Sequence, residues 1–478
     1  MRVHFTGIKG VGMAALALAH QDAGWEVTGS DTKEAQITDE PLKARGIQVV
    51  EKFTPRNIWT LKKMVWVPAI DKLIYTGAHH GAQNVEVKWA ASRGVPTLNY
   101  ARAAGEFFAD KKQICVCGVG GKTTTSAMIA TILNETVQDP SWIVGTSEIA
   151  SLPAAGRRGQ GEWAVIEGDE YVADPAADKT PKFMYLNPKI VVCTNISYDH
   201  PDVYKSEEEV AAVYTKLFEK TLRNGGKVLL SEQAAEVIEG RRKKEEGRGG
   251  KEMIVYDEVD KGIYRNLEEF RVEIKKVLKV PGEYNVRNAM AAAAAAKEVG
   301  VSEKDILAGL SQYRGAKRRF EFIGEIREIG GIGGISLYDD YAHHPTEIRA
   351  LATAAKEKFP GKKIIFVFQP HTFSRTKALF SEFGDSLRMA DEVVMYPIFA
   401  SAREEKDESV SSQMLAEEIK RRGGKAVSVT DGRKLVEYLT RTAKPDEIIF
   451  TVGAGNLYEF HQSILEGFKR ISQGAAGG

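Results

Sequence analysis

Apolar and polar positions follow one repeating order along the chain: a short apolar run, a glycine-rich or acidic turn, then a longer stretch of helical periodicity. RVHFTGI, the turn after it, MAALALAHQDAG and WEVTGSD predict a strand–turn–helix–strand unit, and KLIYTGA with the helix-like VEVKWAASRG continues it. A polar stretch at Asp110–Lys112 then precedes a new apolar run, QICVCGV, and places a linker there. WAVIEGD, KIVVCTNIS and KVLLS predict further strands between amphipathic helices, and the alanines Ala291–Ala296 predict a tightly packed helix. A third series begins near Phe320 with SLYDDYAHHP, KIIFVFQPH, DEVVMYPIF, KAVSVT and EIIFTVGAGN, each a strand running into a polar or glycine-rich turn. The expectation is an α/β protein of three domains, 1–110, 111–319 and 320–478, with ligands at the carboxyl ends of the strands. RRKKEEGRGGK, from Arg241 to Lys251, has no apolar face and reads as an exposed loop or frayed helix end. The terminal GAAGG reads as disordered.

Composition narrows the partners more than the fold. With 43% hydrophobic and 27% charged residues the chain can bury substantial cores, and a net charge of +1 gives no whole-chain attraction to nucleic acid or an anionic membrane. Small-molecule substrates are expected instead. Cys115, Cys117 and Cys193 lie in strand-like runs without zinc or redox spacing, so they read as packing residues in a reducing compartment. Neither a signal stretch nor an apolar run of about 20 residues occurs, which places the protein in the cytoplasm.

The sharpest chemical signal is GVGGKTTT, between a predicted strand and a predicted helix. Polyphosphate needs backbone N–H groups without side-chain cover, a lysine against the outer phosphates and a hydroxyl for Mg²⁺. Gly118, Gly120, Gly121, Lys122, Thr123 and the adjacent Thr124 supply these in the short GxxGKT form. Lys122 reads as an exposed loop residue without a core contact, so the central domain reads as a P-loop ATPase sheet. The N-terminal GIKGVGM is weaker: Lys9 replaces the middle glycine of a dinucleotide fingerprint, leaving Gly7, Gly10 and Gly12, with Ser30 and Asp31 closing the second strand where a ribose-binding acid belongs. This reads as a nucleotide-diphosphate site on a Rossmann-like domain. Glu167, Asp169 and Glu170 in VIEGDEY, and Asp199 with His200 in TNISYDHPD, end strands beside the P-loop and suit a metal near the γ-phosphate. DDYAHHPTE and FQPHTFSR cluster further histidines and an arginine, but His343 and His344 lack further ligands at zinc spacing, which favours substrate hydrogen bonding. His20 and His461 read as satisfied or surface groups.

In this order, HFTGIKGVGM, TGSD, GVGGKTTTSAM, EGDEY, TNISYDHPD, YNVRNAMAA, GAKRRFE, DDYAHHPTE and FQPHTFSRT resemble the Mur ligases over nearly the whole chain. The resemblance implies a Rossmann-like UDP-sugar domain, a central P-loop ATPase domain and a C-terminal Rossmann-like domain for the amino acid. It implies ATP-dependent ligation of L-alanine to UDP-N-acetylmuramate through an acyl phosphate, with ATP and Mg²⁺ as cofactors. On that pattern Gly7, Gly10, Gly12, Ser30 and Asp31 contact the UDP sugar, and Lys122 and Thr123 contact phosphate. Lys122, Glu167 and His200 are catalytic, with Thr123, Glu167 and His200 the metal ligands. Asn285, Asn288, Arg319, Asp339 and Asp340 reach the nucleotide, and His343, His344, His371 and Arg375 face the acceptor and the incoming amine. The DEY spelling followed by DKTPKF is similar instead to the recycling member of the family, which adds a preformed tripeptide to the same sugar. A nucleotide-driven P-loop switch is the alternative of another class.

Overall fold

A computed structural model describes residues 1–62, 65–136, 139–244, 253–257, 266–326, 334–400, 404 and 406–475. They form two compact units, one of Met1–Tyr198, Val203–Lys279 and Val286–Lys317, the other of Asp199–Asp202, Val280–Asn285 and Arg318–Gly478.

The first unit holds two large sheets, of five and seven strands, among its described residues. One runs Gln48–Val50, Glu26–Ser30, Arg2–Thr6, Lys72–Tyr75, Thr97–Asn99, all neighbours parallel, with Thr6 level with Ser30. Parallel strands need crossover helices, and the expected helix after the first glycine turn is Val11–Asp22. It is apolar almost all round, with Met13 through His20 buried, because both of its sides are covered. One side lies on its own sheet; the other meets the edge of the second sheet, where a Cβ on Gly156 would stand 1.8 Å from the Ala15 carbonyl oxygen. That second sheet runs Gly156–Arg157, Ser141–Ile143, Trp163–Glu167, Lys112–Cys117, Pro188–Cys193, Lys227–Leu230, Ile254–Val255. Only the Gly156–Arg157 pairing is antiparallel. Its three central strands are buried nearly throughout and read as continuous apolar runs, as a sheet covered on both faces requires. Cys115, Cys117 and Cys193 are buried free thiols in this core.

The second unit is built on a sheet ordered Glu321–Ile326, Ile335–Asp340, Ile448–Val452, Ile364–Phe368, Glu392–Met395, Ala426–Ser428, with only the first strand antiparallel. Phe320, Tyr338, Phe359 and Phe450 pack together on one face, with ring centroids 5.0 to 6.3 Å apart.

The alanine run is helical within Glu283–Val299 and Ala291–Ala296 have no exposed surface. The helix Glu232–Lys244 takes in Arg241–Lys244, and the remainder of that charged stretch lies outside the described residues. The tail differs from expectation: Gly474 and Ala475 continue the helix His461–Ala475, and the last three residues lie outside the described set.

Because Gly156 has no room for a methyl group against helix backbone, Gly156→Ala should lower unfolding stability by ~1–3 kcal/mol. Thermal or urea denaturation checks this, and an unchanged midpoint would mean that the helix and the sheet edge do not pack as described.

Candidate active site

The strand Lys112–Cys117 lies between Trp163–Glu167 and Pro188–Cys193, parallel to both. Their carboxyl ends therefore meet on one edge, which brings GVGGKTTT, Glu167 and Thr194–Asn195 together. Gly118 has φ 131°, and a Cβ there would meet Thr194 Oγ1 at 2.2 Å, so the turn needs glycine. Asn195 holds the loop: its Oδ1 accepts from Val119 N at 2.8 Å and Gly120 N at 2.9 Å, and its Nδ2 donates to Gly120 O at 3.1 Å. Thr194 Oγ1 donates to the same carbonyl at 2.6 Å. The helix Lys122–Thr136 begins at the lysine itself, so its first-turn amides, which have no intrahelical acceptor, and its positive dipole end face this edge.

Lys122 does not sit on the loop without contacts, as its sequence suggested. Its Nζ lies 3.1 Å from Glu170 Oε2, and Glu170 is 1% exposed. Burial works against the ammonium charge, but the carboxylates of Glu170, Asp169 and Glu167 outweigh it and hold the lysine above its usual pKa. Thr123 Oγ1 donates to Glu167 Oε1 at 3.1 Å, while Glu167 Oε2 accepts from Gly145 N at 2.8 Å. A hydroxyl and a carboxylate at that separation, next to a cationic lysine, form an oxygen donor set suited to a hard divalent cation. Asp169 also accepts from Lys182 Nζ at 2.6 Å. Asn288 stands against the loop, its Oδ1 2.5 Å from where a Gly121 Cβ would be. Thr124 is buried in the helix's first turn, and Asn285 bonds through Nδ2 to Pro281 O at 2.6 Å.

The N-terminal sheet has its own site at its carboxyl edge. Gly7 N and Ile8 N donate to Ser30 O at 2.8 and 3.2 Å, so the glycine turn closes over the second strand. Asp31 accepts from Lys9 N at 2.7 Å and Thr32 N at 2.8 Å, which makes it an organiser of the turn as well as a candidate ribose acid. Burial raises its pKa. Lys9 itself reaches away to Glu34 O at 3.0 Å and Asp39 Oδ1 at 3.3 Å. His79, which the sequence reading passed over, lies 3.5 Å from Asp31 Oδ1 and beside Phe53. Its signal was available as an HHG triplet shortly after the strand that ends at Tyr75, and the structure holds both histidines at positive φ.

In the second unit, Asp199 and Arg375 form a buried pair, Nε to Oδ1 2.8 Å and Nη2 to Oδ2 3.3 Å. Burial would raise the Asp199 pKa, but His200 and Arg375 together hold it well below the usual range. His200 has φ 57° in the same segment. Arg375 also touches His371 Nδ1 at 3.4 Å, His371 stacks on Phe399, and the His371 and His343 rings are 6.4 Å apart. His344 caps the helix Pro345–Lys358 by accepting from Thr346 N, with Glu347 completing a capping box. Strand alternation separates the two aspartates. Asp339 accepts from the buried Arg318 at 2.8 Å and from Thr451 Oγ1 at 2.7 Å, with His461 Nε2 3.6 Å away, so His461 is a satisfied structural group. Asp340, pushed up to about 6 by burial, accepts from Phe320 N and Ala342 N at 2.8 Å each. Arg319 lies over Tyr341 at 4.9 Å, close enough to Asp340 to oppose that rise. His20 in the first unit is likewise structural: Nδ1 lies 2.8 Å from Leu16 O and the ring stacks on Phe107.

His343 generates a pH prediction. Burial, with Arg375 assisting and Glu347 and Asp199 opposing, lowers its pKa to about 4. The neutral ring is thus favoured in the folded protein, while the unfolded chain takes up a proton near pH 6.5. Its contribution to stability should be complete above about pH 6.5 and fall progressively toward about pH 4. Denaturant titrations from pH 7 to 4 should show a shallower loss in His343→Gln than in the unaltered protein; parallel curves would contradict the assignment.

Three family profiles match in order: "Mur ligase family, catalytic domain" over residues 2–112, "Mur ligase middle domain" over 116–296 and "Mur ligase, glutamate ligase domain" over 318–455. Among curated relatives, the UDP-N-acetylmuramate–L-alanine ligase of Desulfitobacterium hafniense is 34% identical, with 97% of this chain and 99% of that protein covered. The ligase of the same name from Agathobacter rectalis is 33% identical, with 98% of each covered. Among solved structures, the UDP-N-acetylmuramate–alanine ligase of Thermotoga maritima superposes with a TM-score of 0.75 at 27% identity over 98% of this chain and 99% of that one. A murein peptide ligase from Psychrobacter arcticus shares the fold, with a TM-score of 0.67 at 22% identity over 98% of each chain.

Proposed function

From the premise that this chain belongs to the Mur ligase family, we propose that it joins L-alanine to UDP-N-acetylmuramate in peptidoglycan precursor synthesis. It is an ATP-dependent amide-forming ligase that works with a divalent metal ion. Among the described residues, no helix is long and apolar enough to cross a membrane. The observation that carries the reading is the meeting of Lys122, Thr123 and Glu167 on one parallel strand edge, in a chain similar end to end to alanine-adding ligases. The boundaries near residues 110 and 319 divide the work in this reading: nucleotide sugar first, ATP second, amino acid third.

A carboxylate is a poor electrophile, and its charge repels ATP. The amides at the start of Lys122–Thr136 and the Lys122 ammonium supply positive potential where the γ-phosphate would lie, so the muramyl carboxylate can attack phosphorus and release ADP. The acyl phosphate then takes the alanine amine at carbon, and the adduct expels phosphate to leave the amide. Thr123 and Glu167 are the groups that would hold Mg²⁺, which neutralises phosphate charge when bound, and the family pattern adds His200 as a ligand. Gly7, Gly10, Gly12, Ser30 and Asp31 would take the UDP sugar, with His79 added to the set. Asn285, Asn288, Arg319 and Asp340 would take the nucleotide; Asp339 is already committed to Arg318 and Thr451, so its part is to shape that edge. Gly118, Gly120, Gly121 and Thr124 complete the phosphate loop, and His343, His344, His371 and Arg375 the amine side.

The stretch similar to the tripeptide-adding members forms the hairpin Val172–Asp174 with Asp178–Pro181. That hairpin touches the N-terminal sheet's loops: Asp174 Oδ2 accepts from Ala82 N at 2.8 Å and Asp178 Oδ2 from Asn99 Nδ2 at 2.9 Å. The DKTPKF part of the likeness therefore concerns the side assigned to the sugar nucleotide, and its DEY part, Asp169–Tyr171, lies beside Lys122 at the phosphate loop; both reactions share these sites, and neither is assigned to the incoming amine.

In a competition with equal L-alanine and L-Ala-γ-D-Glu-diaminopimelate, Mg-ATP and UDP-N-acetylmuramate, the alanine adduct should dominate by product mass; dominant tripeptide product overturns the amine assignment. Discrimination against glycine should be modest, since one missing methyl in an apolar pocket is worth only ~1–3 kcal/mol. Lys122→Met should abolish turnover and also cost ~1–3 kcal/mol of stability by removing the cation that faces the buried Glu170 carboxylate. Adding Glu170→Gln should restore stability without turnover, and a double variant that remains unstable would contradict the pairing.

A further inference from the structure

One fully buried carboxylate lies outside the chemistry described so far. Glu86 is the second residue of the helix Val85–Ser92, has no exposed surface, and donates its own N–H to the Asn84 side chain that caps the helix. Its Oε2 accepts from Thr6 Oγ1 at 2.8 Å and Ser30 Oγ at 2.6 Å; its Oε1 accepts from Thr54 N at 3.0 Å and Asn57 Nδ2 at 2.7 Å. His4 completes the cluster, with Nε2 3.6 Å from Oε2 and 3.3 Å from Ser30 Oγ, and Nδ1 2.9 Å from Thr28 Oγ1. Every carboxylate lone pair is engaged, so the charge is held where burial alone would neutralise it. Burial raises the Glu86 pKa, but His4, Ser30 and Thr6 outweigh it and keep the group below its usual value.

The donors are distributed in a particular way. Thr6 is the last residue before Gly7, and Ser30 the last before Asp31, and the two are paired across adjacent strands. Thr54 follows Phe53, whose ring lies against His79. A single anion therefore ties together both strand ends that present the glycine turn and Asp31, the loop behind His79, and the helix Val85–Ser92. Packing alone would be served by an apolar side chain here, since a fully buried charged network rarely adds stability over a hydrophobic one. What the network adds is fixed spacing between three elements that must meet one ligand.

We infer that Glu86 is the positioning residue of the sugar-nucleotide site: it touches no substrate, but sets the separation of the Gly7 turn, Asp31 and the His79 loop, and with it the affinity for the UDP group. The inference rests on the reading of that edge as the UDP-N-acetylmuramate site. Glu86→Gln keeps shape and loses charge, and replaces one acceptor with a donor facing donors. It should raise the Kd and KM for UDP-N-acetylmuramate about tenfold or more, with KM for ATP and for L-alanine unchanged and kcat at saturating sugar nucleotide nearly retained. Thr6→Val, which removes one of the four hydrogen bonds from a strand that tolerates valine, should give the same split to a smaller degree and serves where Glu86→Gln folds poorly. The measurements are titration calorimetry with UDP-N-acetylmuramate and steady-state kinetics varying each substrate in turn. An equal loss of kcat at unchanged KM values would mark Glu86 as a folding residue only and overturn the inference. Unchanged binding in both variants would do the same. Absence of binding by the unaltered protein would overturn the substrate reading, and the inference with it.

Discussion

Parallel pairing of Lys112–Cys117 with Trp163–Glu167 on one side and Pro188–Cys193 on the other is the constraint on which the candidate ATP site depends. In a parallel sheet every strand delivers its carboxyl end to the same edge. A phosphate loop after the first strand, a carboxylate ending the second and a Thr-Asn pair after the third become neighbours without any being near another in sequence. Antiparallel pairing of any one would send its functional end to the far side. The apolar register that buries the central strands thus also places the chemistry.

The same economy governs the buried charges. Lys122 with Glu170, Arg375 with Asp199, Arg318 with Asp339, and Glu86 with its donors and His4 are each within about a tenth of full burial or less at the carboxylate, and each has a partner in bonding reach. A buried ion is costly alone and only tolerable when its lone pairs and protons are met. Each pair also stands next to a loop that must hold a defined shape. The charges at these sites fix geometry at strand ends, where regular hydrogen bonding runs out.

Much of this was legible along the chain because it is local. GVGGKTTT between a strand and a helix, acids at strand ends, and apolar runs long enough to be buried on both faces all carry their meaning within a dozen residues. Helix Val11–Asp22 is an instructive intermediate: its uniform apolar character is visible, but only the approach of Gly156 explains why no polar face is needed. Contacts across long separations were not legible. Nothing near Lys122 announces Glu170, nothing near Gly120 announces Asn195, and GAKRRFE does not say that Arg318 turns inward to Asp339 while Arg319 lies on Tyr341. His344 could be read as a substrate group until the helix it caps is seen. For Lys122, Gly120 and Arg318 the partner is set by which strand ends lie side by side, distant in sequence, which periodicity does not encode.

The proposed reaction activates the sugar-nucleotide carboxylate by phosphoryl transfer before the amine arrives. It has a direct isotopic test: UDP-N-acetylmuramate carrying ¹⁸O in its lactyl carboxylate is turned over with Mg-ATP and L-alanine, and the released phosphate is analysed by mass spectrometry. If the carboxylate attacks the γ-phosphate and the amine later displaces phosphate at carbon, one carboxylate oxygen must leave in each phosphate, which therefore carries one ¹⁸O. Unlabelled phosphate, with amide still formed, would mean that ATP hydrolysis and bond formation are separate events and would contradict the account.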